Sequence, residues 1–195
     1  MLKVKGGRFW GNILLALALS LFVIGSYSIF LALTPEFHTI GLNPNDNSTT
    51  RLLAKQDSSG QILYIPKIDL NVSYDVLESN LSVGAWWRRP SSGNPKDGGN
   101  FVLAAHRFEM GLTPNQTQQK SPFYHLEKLS IGDEIFVDYA GKRYDYVVSE
   151  KYSVKPDHLE IEDYSTVPKL TLYTCTLGGR NDGRDVIIAQ PKSTS

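Results

Sequence analysis

A chain of 195 residues, 41% of them hydrophobic, is long enough for one packed domain and an appendage. Twenty basic residues balance twenty acidic ones, which excludes the global positive field expected of a nucleic-acid binder. A single cysteine excludes an internal disulfide, so the fold must hold by packing alone.

The charge is unevenly laid out. Every charged residue before Thr34 is basic (Lys3, Lys5 and Arg8), and the remainder is slightly acidic. These three precede the uncharged run Ile13–Leu33, which as a helix spans about 31 Å and matches a bilayer's hydrocarbon core. Phe9 and Trp10 fall at interface depth. The expectation is a basic cytoplasmic N-terminus (residues 1–11) and a single transmembrane signal anchor (12–33), with everything after it outside the cell by the positive-inside bias. A cleaved secretory signal is the competing reading. Its apolar region is normally about 7–15 residues, shorter than this one, and Ala32-Leu33-Thr34 is a poor cleavage site.

Residues 34–60 are rich in Asn, Ser, Thr, Asp, Gly and Pro and read as a flexible stalk. Asn47-Ser48-Thr49 fits the short N-glycosylation acceptor pattern. From residue 61 to 195 the composition changes to short β-favouring segments between turn residues. Strands are predicted at Ile62–Pro66, Phe101–Ala105, Glu134–Tyr139, Tyr144–Val154, Lys169–Cys175 and Asp185–Gln190. Trp86-Trp87 beside Arg88-Arg89 is a single aromatic pair, read as core and rim of the β domain rather than as a base-stacking platform. Gly98-Gly99-Asn100 reads as the turn into the second strand. One helix is predicted over Ser121–Leu129, with Ser121 as N-cap, Pro122 at the first position and Phe123, Leu126 and Leu129 spaced by three. Ala140-Gly141-Lys142 reads as a hairpin turn. The whole is a mainly β fold whose edges are best removed by closure into a barrel.

The cysteine ends a predicted strand. At a period of two, Cys175 shares a face with Thr171 and Tyr173, away from Leu170 and Leu172, which argues against a purely buried role. The loop Thr176–Arg184 then returns into the last strand and would set Arg184 beside Cys175, where a permanent charge stabilises developing negative charge. Arg180, in the same loop among glycines, is the competing arginine, and position alone does not separate the two.

A cysteine nucleophile needs a proton partner. His38 lies in the stalk, while His125 and His158 read as surface residues. His106 is delivered to a strand end by the apolar run Phe101–Ala105, as a catalytic side chain is usually presented. One cysteine and scattered histidines do not make a metal site, and no phosphate loop is present, so neither a metal nor a cofactor is expected.

Taken in order, these segments resemble the sortase family. Thr171-Leu172-Tyr173-Thr174-Cys175 is similar to its TLxTC signature and Arg184-Asp185-Val186-Ile187-Ile188-Ala189 to its arginine strand. Ile65-Pro66-Lys67-Ile68, Gly99-Asn100 through His106-Arg107, and Phe123 through Gly132-Asp133 agree in order over about residues 62–190. The resemblance implies a closed eight-stranded β-barrel and a cysteine transpeptidase with His106, Cys175 and Arg184 at the catalytic positions. It implies as partners surface proteins bearing an LPxTG-like C-terminal sorting signal, and an amine acceptor such as a cell-wall precursor or a pilin lysine. Thr176-Leu177 after the cysteine and Ala104-Ala105 before the histidine depart from several classes, so no class is assigned. A protease resolving the same thioester with water, or a tethered barrel that only binds, are the alternative functions. Substrate choice is expected in the segment 154–168 with its acidic residues Asp157, Glu160, Glu162 and Asp163.

Overall fold

A computed structural model describes residues 6–37 and 60–192. Most of the predicted stalk, with His38 and the Asn47 triplet, lies outside the described residues.

The first element, α1 (Gly6–Phe37), contains the segment Trp10–Glu36, whose mean hydropathy of 2.3 and length suffice to cross a membrane. Three of its hydroxyls are satisfied within the helix itself. Ser20, Ser28 and Thr34 each donate to the carbonyl four residues back, on Ala16, Ile24 and Phe30.

Nine strands follow: β1 (Ile62–Ile65), β2 (Leu70–Asp75), β3 (Ala85–Trp87), β4 (Gly93–Asn94), β5 (Gly98–Ala104), β6 (Glu134–Tyr139), β7 (Lys142–Val154), β8 (Lys169–Thr176) and β9 (Gly179–Pro191). Their order is β3-β2-β1-β6-β7-β9-β8-β5, and a β3–β5 pairing closes the ring. Eight strands therefore form the expected closed barrel, and the two-residue β4 hangs on β5. Closure leaves no ring strand with an unpaired edge. All six predicted strands are present. Two ring strands were not predicted, although Leu70, Val72 and Tyr74 of β2 alternate with Asn71, Ser73 and Asp75. β3 has only three residues, too few to show a period.

Leu63, Ile65, Phe101, Leu103, Leu172 and Ile187 point inward and form the centre of the core. Trp87 is buried edge-on against Phe101 and Tyr139, while Trp86 on the opposite face of β3 is partly exposed, as a core-and-rim pair requires. The Ala140-Gly141 turn between β6 and β7 has positive φ at both residues, 50° and 78°, the conformation of a two-residue hairpin turn.

The predicted helix over Ser121–Leu129 is not formed. The only 3-10 turn there is Leu126–Lys128. Phe123, Leu126 and Leu129 are all fully buried, so the apolar residues were rightly read, but a spacing of three serves a 3-10 turn as well as an α-helix. Ser121 is no N-cap either; its hydroxyl exchanges hydrogen bonds with the backbone of Glu109. The helix lies just upstream as α2 (Pro114–Gln119), capped by Thr113, whose side chain accepts from the Gln116 amide.

Candidate active site

Two strand pairings bring the three predicted residues to one rim. β5 and β8 run parallel, with Ala104 opposite Tyr173. The contact continues past the ladder: the Ala105 amide donates to the Tyr173 carbonyl at 3.3 Å, and the Thr174 hydroxyl donates to the Ala105 carbonyl at 2.8 Å. Parallel strands must leave a barrel at the same end, so His106 emerges where β8 reaches Cys175. β8 and β9 are antiparallel, and their register sets Cys175 directly opposite Arg184.

The return between them differs from the open loop expected from sequence. Thr176 pairs with Gly179, so Leu177-Gly178 form a tight turn and Arg180–Gly183 bulge out below it. The Thr176 hydroxyl donates to Asp182 at 2.6 Å, and a Cβ on Gly178 would come within 2.4 Å of the same carboxylate. Arg184 Nη1 donates to the carbonyls of Arg180 (2.9 Å) and Gly183 (2.8 Å). The bulge thus uses the backbone of Arg180, not its side chain, to fix the guanidinium of Arg184.

His106, Cys175 and Arg184 line one groove of about 790 Å³, together with Trp86, Arg88 and Tyr173. Cys175 is a free thiol, partly exposed as its strand face predicts. The His106 imidazole faces Glu109, with Nε2 3.1 Å from the carboxylate, and Lys120 donates to the other oxygen at 2.8 Å. The Lys120 hydrogen bond holds the Glu109 carboxyl below its usual range; burial opposes this and the His106 charge reinforces it. The Glu109 carboxylate restricts the orientation of the imidazole.

Sequence reading passed over Glu109 and also the layer beneath the rim. The Arg107 guanidinium is only 6% exposed and pairs with Asp185 at 2.5 Å and Glu127 at 2.9 Å. Asp185 in turn accepts from Ser153 at 2.7 Å. Arg107 follows His106 and Asp185 follows Arg184, so this pair clamps the two flanks of the groove together. No local pattern marks it, because the partners are far apart in the chain.

The segment between β7 and β8 also lines the groove. Its Glu162, 1% exposed, accepts from Arg88 Nε (2.8 Å), Arg89 Nε (2.9 Å) and the Tyr173 hydroxyl (2.5 Å). Asn100, fully buried on β5, donates to the carbonyls of Ile161 and Asp163 and accepts from Thr171 at 2.6 Å. The acidic residues of this segment therefore divide: Glu160 and Asp163 are exposed, while Glu162 is an internal latch. His158 is at the surface beside Glu160 at 3.2 Å, as expected. His125 is not; it is buried, and its Nε2 lies 2.9 Å from the Pro35 carbonyl at the end of α1.

Known proteins share this fold. The barrel superposes on sortase A of Listeria monocytogenes with a TM-score of 0.57 at 21% identity, covering 70% of this chain and 89% of the other. It superposes on the sortase D5 transpeptidase of Clostridium perfringens with a TM-score of 0.54 at 19% identity, covering 77% and 91%. In sequence the chain is 31% identical over 139 residues to sortase A of Streptococcus agalactiae; the match takes in 66% of this chain and about half, 53%, of that relative's length. The family model of the sortase domain matches residues 63–192, from β1 to the end of β9. A match across the whole barrel, taking in His106, Cys175 and Arg184, places this chain in the sortase family.

Proposed function

We propose that the protein is a membrane-anchored cysteine transpeptidase, with residues 12–33 as anchor, 34–60 as stalk and 61–195 as catalytic domain outside the cell. The observation that carries this reading is the register pairing of Cys175 with Arg184 at the rim where His106 leaves β5.

In the proposed reaction the Cys175 thiolate attacks a backbone carbonyl carbon in an LPxTG-like C-terminal sorting signal. The Arg184 guanidinium and the Thr176 amide stabilise the oxyanion. The C–N bond then breaks, His106 gives its proton to the departing amine, and a thioester to Cys175 remains. An incoming amine, from a cell-wall precursor or a pilin lysine, attacks that thioester. His106 takes up the amine's proton, the new amide forms, the C–S bond breaks and Cys175 leaves as the thiolate. Glu109 keeps the imidazole oriented across both steps. Surface proteins carrying the signal are the partners, and anchoring enzyme and substrate in one membrane raises their effective concentration.

Intact-mass spectrometry of the full chain with a sorting-peptide library tests this. Without an amine, the mass should rise by the acyl fragment on Cys175; adding an amine should discharge it as a ligated product. Cleavage that survives both Cys175→Ala and His106→Ala would overturn the reading. Discharge by water alone, with an amine present, would make the protein a protease.

A further inference from the structure

We propose that the segment Phe108–Leu112, which runs from the His106 rim toward α1, rests with Val83 in the headgroup region of a lipid bilayer, so that the barrel docks on the membrane. This rests on the reading of α1 as a membrane anchor.

The patch is apolar and open. Leu112 is 81% exposed, Val83 55%, Met110 46% and Phe108 39%, and the first three lie around one surface depression. Such a cluster exposed on a single face marks a contact surface. What covers it follows from α1. The Tyr27 hydroxyl donates to the Leu112 carbonyl at 2.8 Å. Further along, α1 packs on α2, Leu31 is buried, the Pro35 carbonyl meets His125, and Glu36 pairs with Lys128 at 3.4 Å.

The length of the helix then fixes the depth. Trp10–Glu36 is 27 residues, about 40 Å as a helix, against a hydrocarbon core of about 30 Å that needs about 20 of them. With Trp10 at the inner interface, the hydrocarbon core ends near Phe30, so the last turn of the proposed anchor (12–33) already lies at the outer interface. Residues 31–37 emerge, and the protein rather than lipid covers Leu31 and Pro35. Tyr27 then sits at the outer boundary, where a tyrosine's apolar ring and polar hydroxyl are both accommodated. Leu112, fixed to that hydroxyl, must lie at the same level, with Met110 and Val83 beside it. Lys120, at the rim of the same depression and paired with Glu109, is placed to reach the headgroups. Because Glu109 also holds His106, docking sets the height of the groove above the bilayer.

The test uses the full chain in nanodiscs of phosphatidylcholine and phosphatidylglycerol, with Cys175→Ala removing the native thiol. A nitroxide label is placed by Leu112→Cys, and collisions with oxygen and with a water-soluble nickel chelate are compared with those of Phe22→Cys on α1 and Leu177→Cys on the β8–β9 turn. Both reference sites are highly exposed in the protein, at 72% and 78%. The Leu112 label should collide with the chelate several-fold less often than the Leu177 label and approach the Phe22 label. Equal chelate access at 112 and 177, with 22 protected, overturns the docking and leaves the anchor standing. Chelate access at 22 removes anchor and docking together. Protection at 112 accompanied by dipolar broadening between labels assigns the surface to a second copy instead, and also overturns the proposal.

Discussion

Replacing Asp185 by Asn tests whether the buried layer under the groove holds its two flanks in place. The substitution is nearly isosteric and removes the charge facing Arg107 at 2.5 Å. Breaking one partner of a buried ion pair generally costs about 3–5 kcal/mol, because the survivor has no water to turn to. Here the Arg107 side chain is 6% exposed, but Glu127 keeps its 2.9 Å contact and Asp185 is itself 22% exposed. The expected loss therefore falls to about 2 kcal/mol, a drop in Tm of about 6 °C for a domain of this size. Arg107→Met should cost about 3 kcal/mol, and the double variant about the same rather than the sum, giving a coupling of about 2 kcal/mol. Thermal unfolding of the full chain in mild detergent, followed by near-ultraviolet circular dichroism, reads all four corners of the cycle. Because the pair joins residues adjoining His106 and Arg184, kcat for peptide transfer should fall about 10-fold with KM little changed. A coupling below about 0.5 kcal/mol, or an unchanged kcat, would refute the clamp.

Two further outcomes discriminate between neighbours in the site. Arg184→Lys keeps the charge but loses the planar fork held by the Arg180 and Gly183 carbonyls, and should lower transfer about 100-fold. Arg180→Ala removes only an exposed side chain and should change transfer by less than about 3-fold; the reverse ranking in steady-state kinetics would give the role to Arg180. For Glu162, burial pushes the carboxyl up, but hydrogen bonds from Arg88, Tyr173 and Arg89 outweigh it and hold it below the ordinary 4.5. A depressed carboxyl stabilises the fold fully above its unfolded value and loses that contribution as pH falls through the folded one. The segment 155–168 should therefore stay latched at neutral pH and become open to pepsin only below about pH 4.5. Glu162→Gln should be cut there by a neutral protease at pH 7 about 10-fold faster, equivalent to about 1.4 kcal/mol. Equal cutting rates would show that the latch does not hold the segment.

Much of the architecture was legible because it is written locally. The apolar length of α1, the alternation that sets Tyr173 and Cys175 on the outer face of β8, and the turn at Ala140-Gly141 each depend on residues within a few positions of one another. The motif order from Ile65 to Ala189 supplied the strand count and the choice of Arg184 over Arg180. Local pattern failed at β3, which is too short to show a period, and over Ser121–Leu129, where a spacing of three fits a 3-10 turn as well as a helix.

The candidates for the chemistry were readable in the chain: a lone cysteine at a strand end and a histidine after an apolar strand are local features, and Arg184 rather than Arg180 followed from the motif order. Their surroundings came from long-range packing. Arg107 meets Asp185 across 78 positions, Arg88 meets Glu162 across 74, and Tyr27 meets Leu112 across 85. Those partners are chosen by barrel closure and parallel strand pairing, and a charged side chain carries no mark in its neighbours of whether it will face water, substrate or a buried counter-charge.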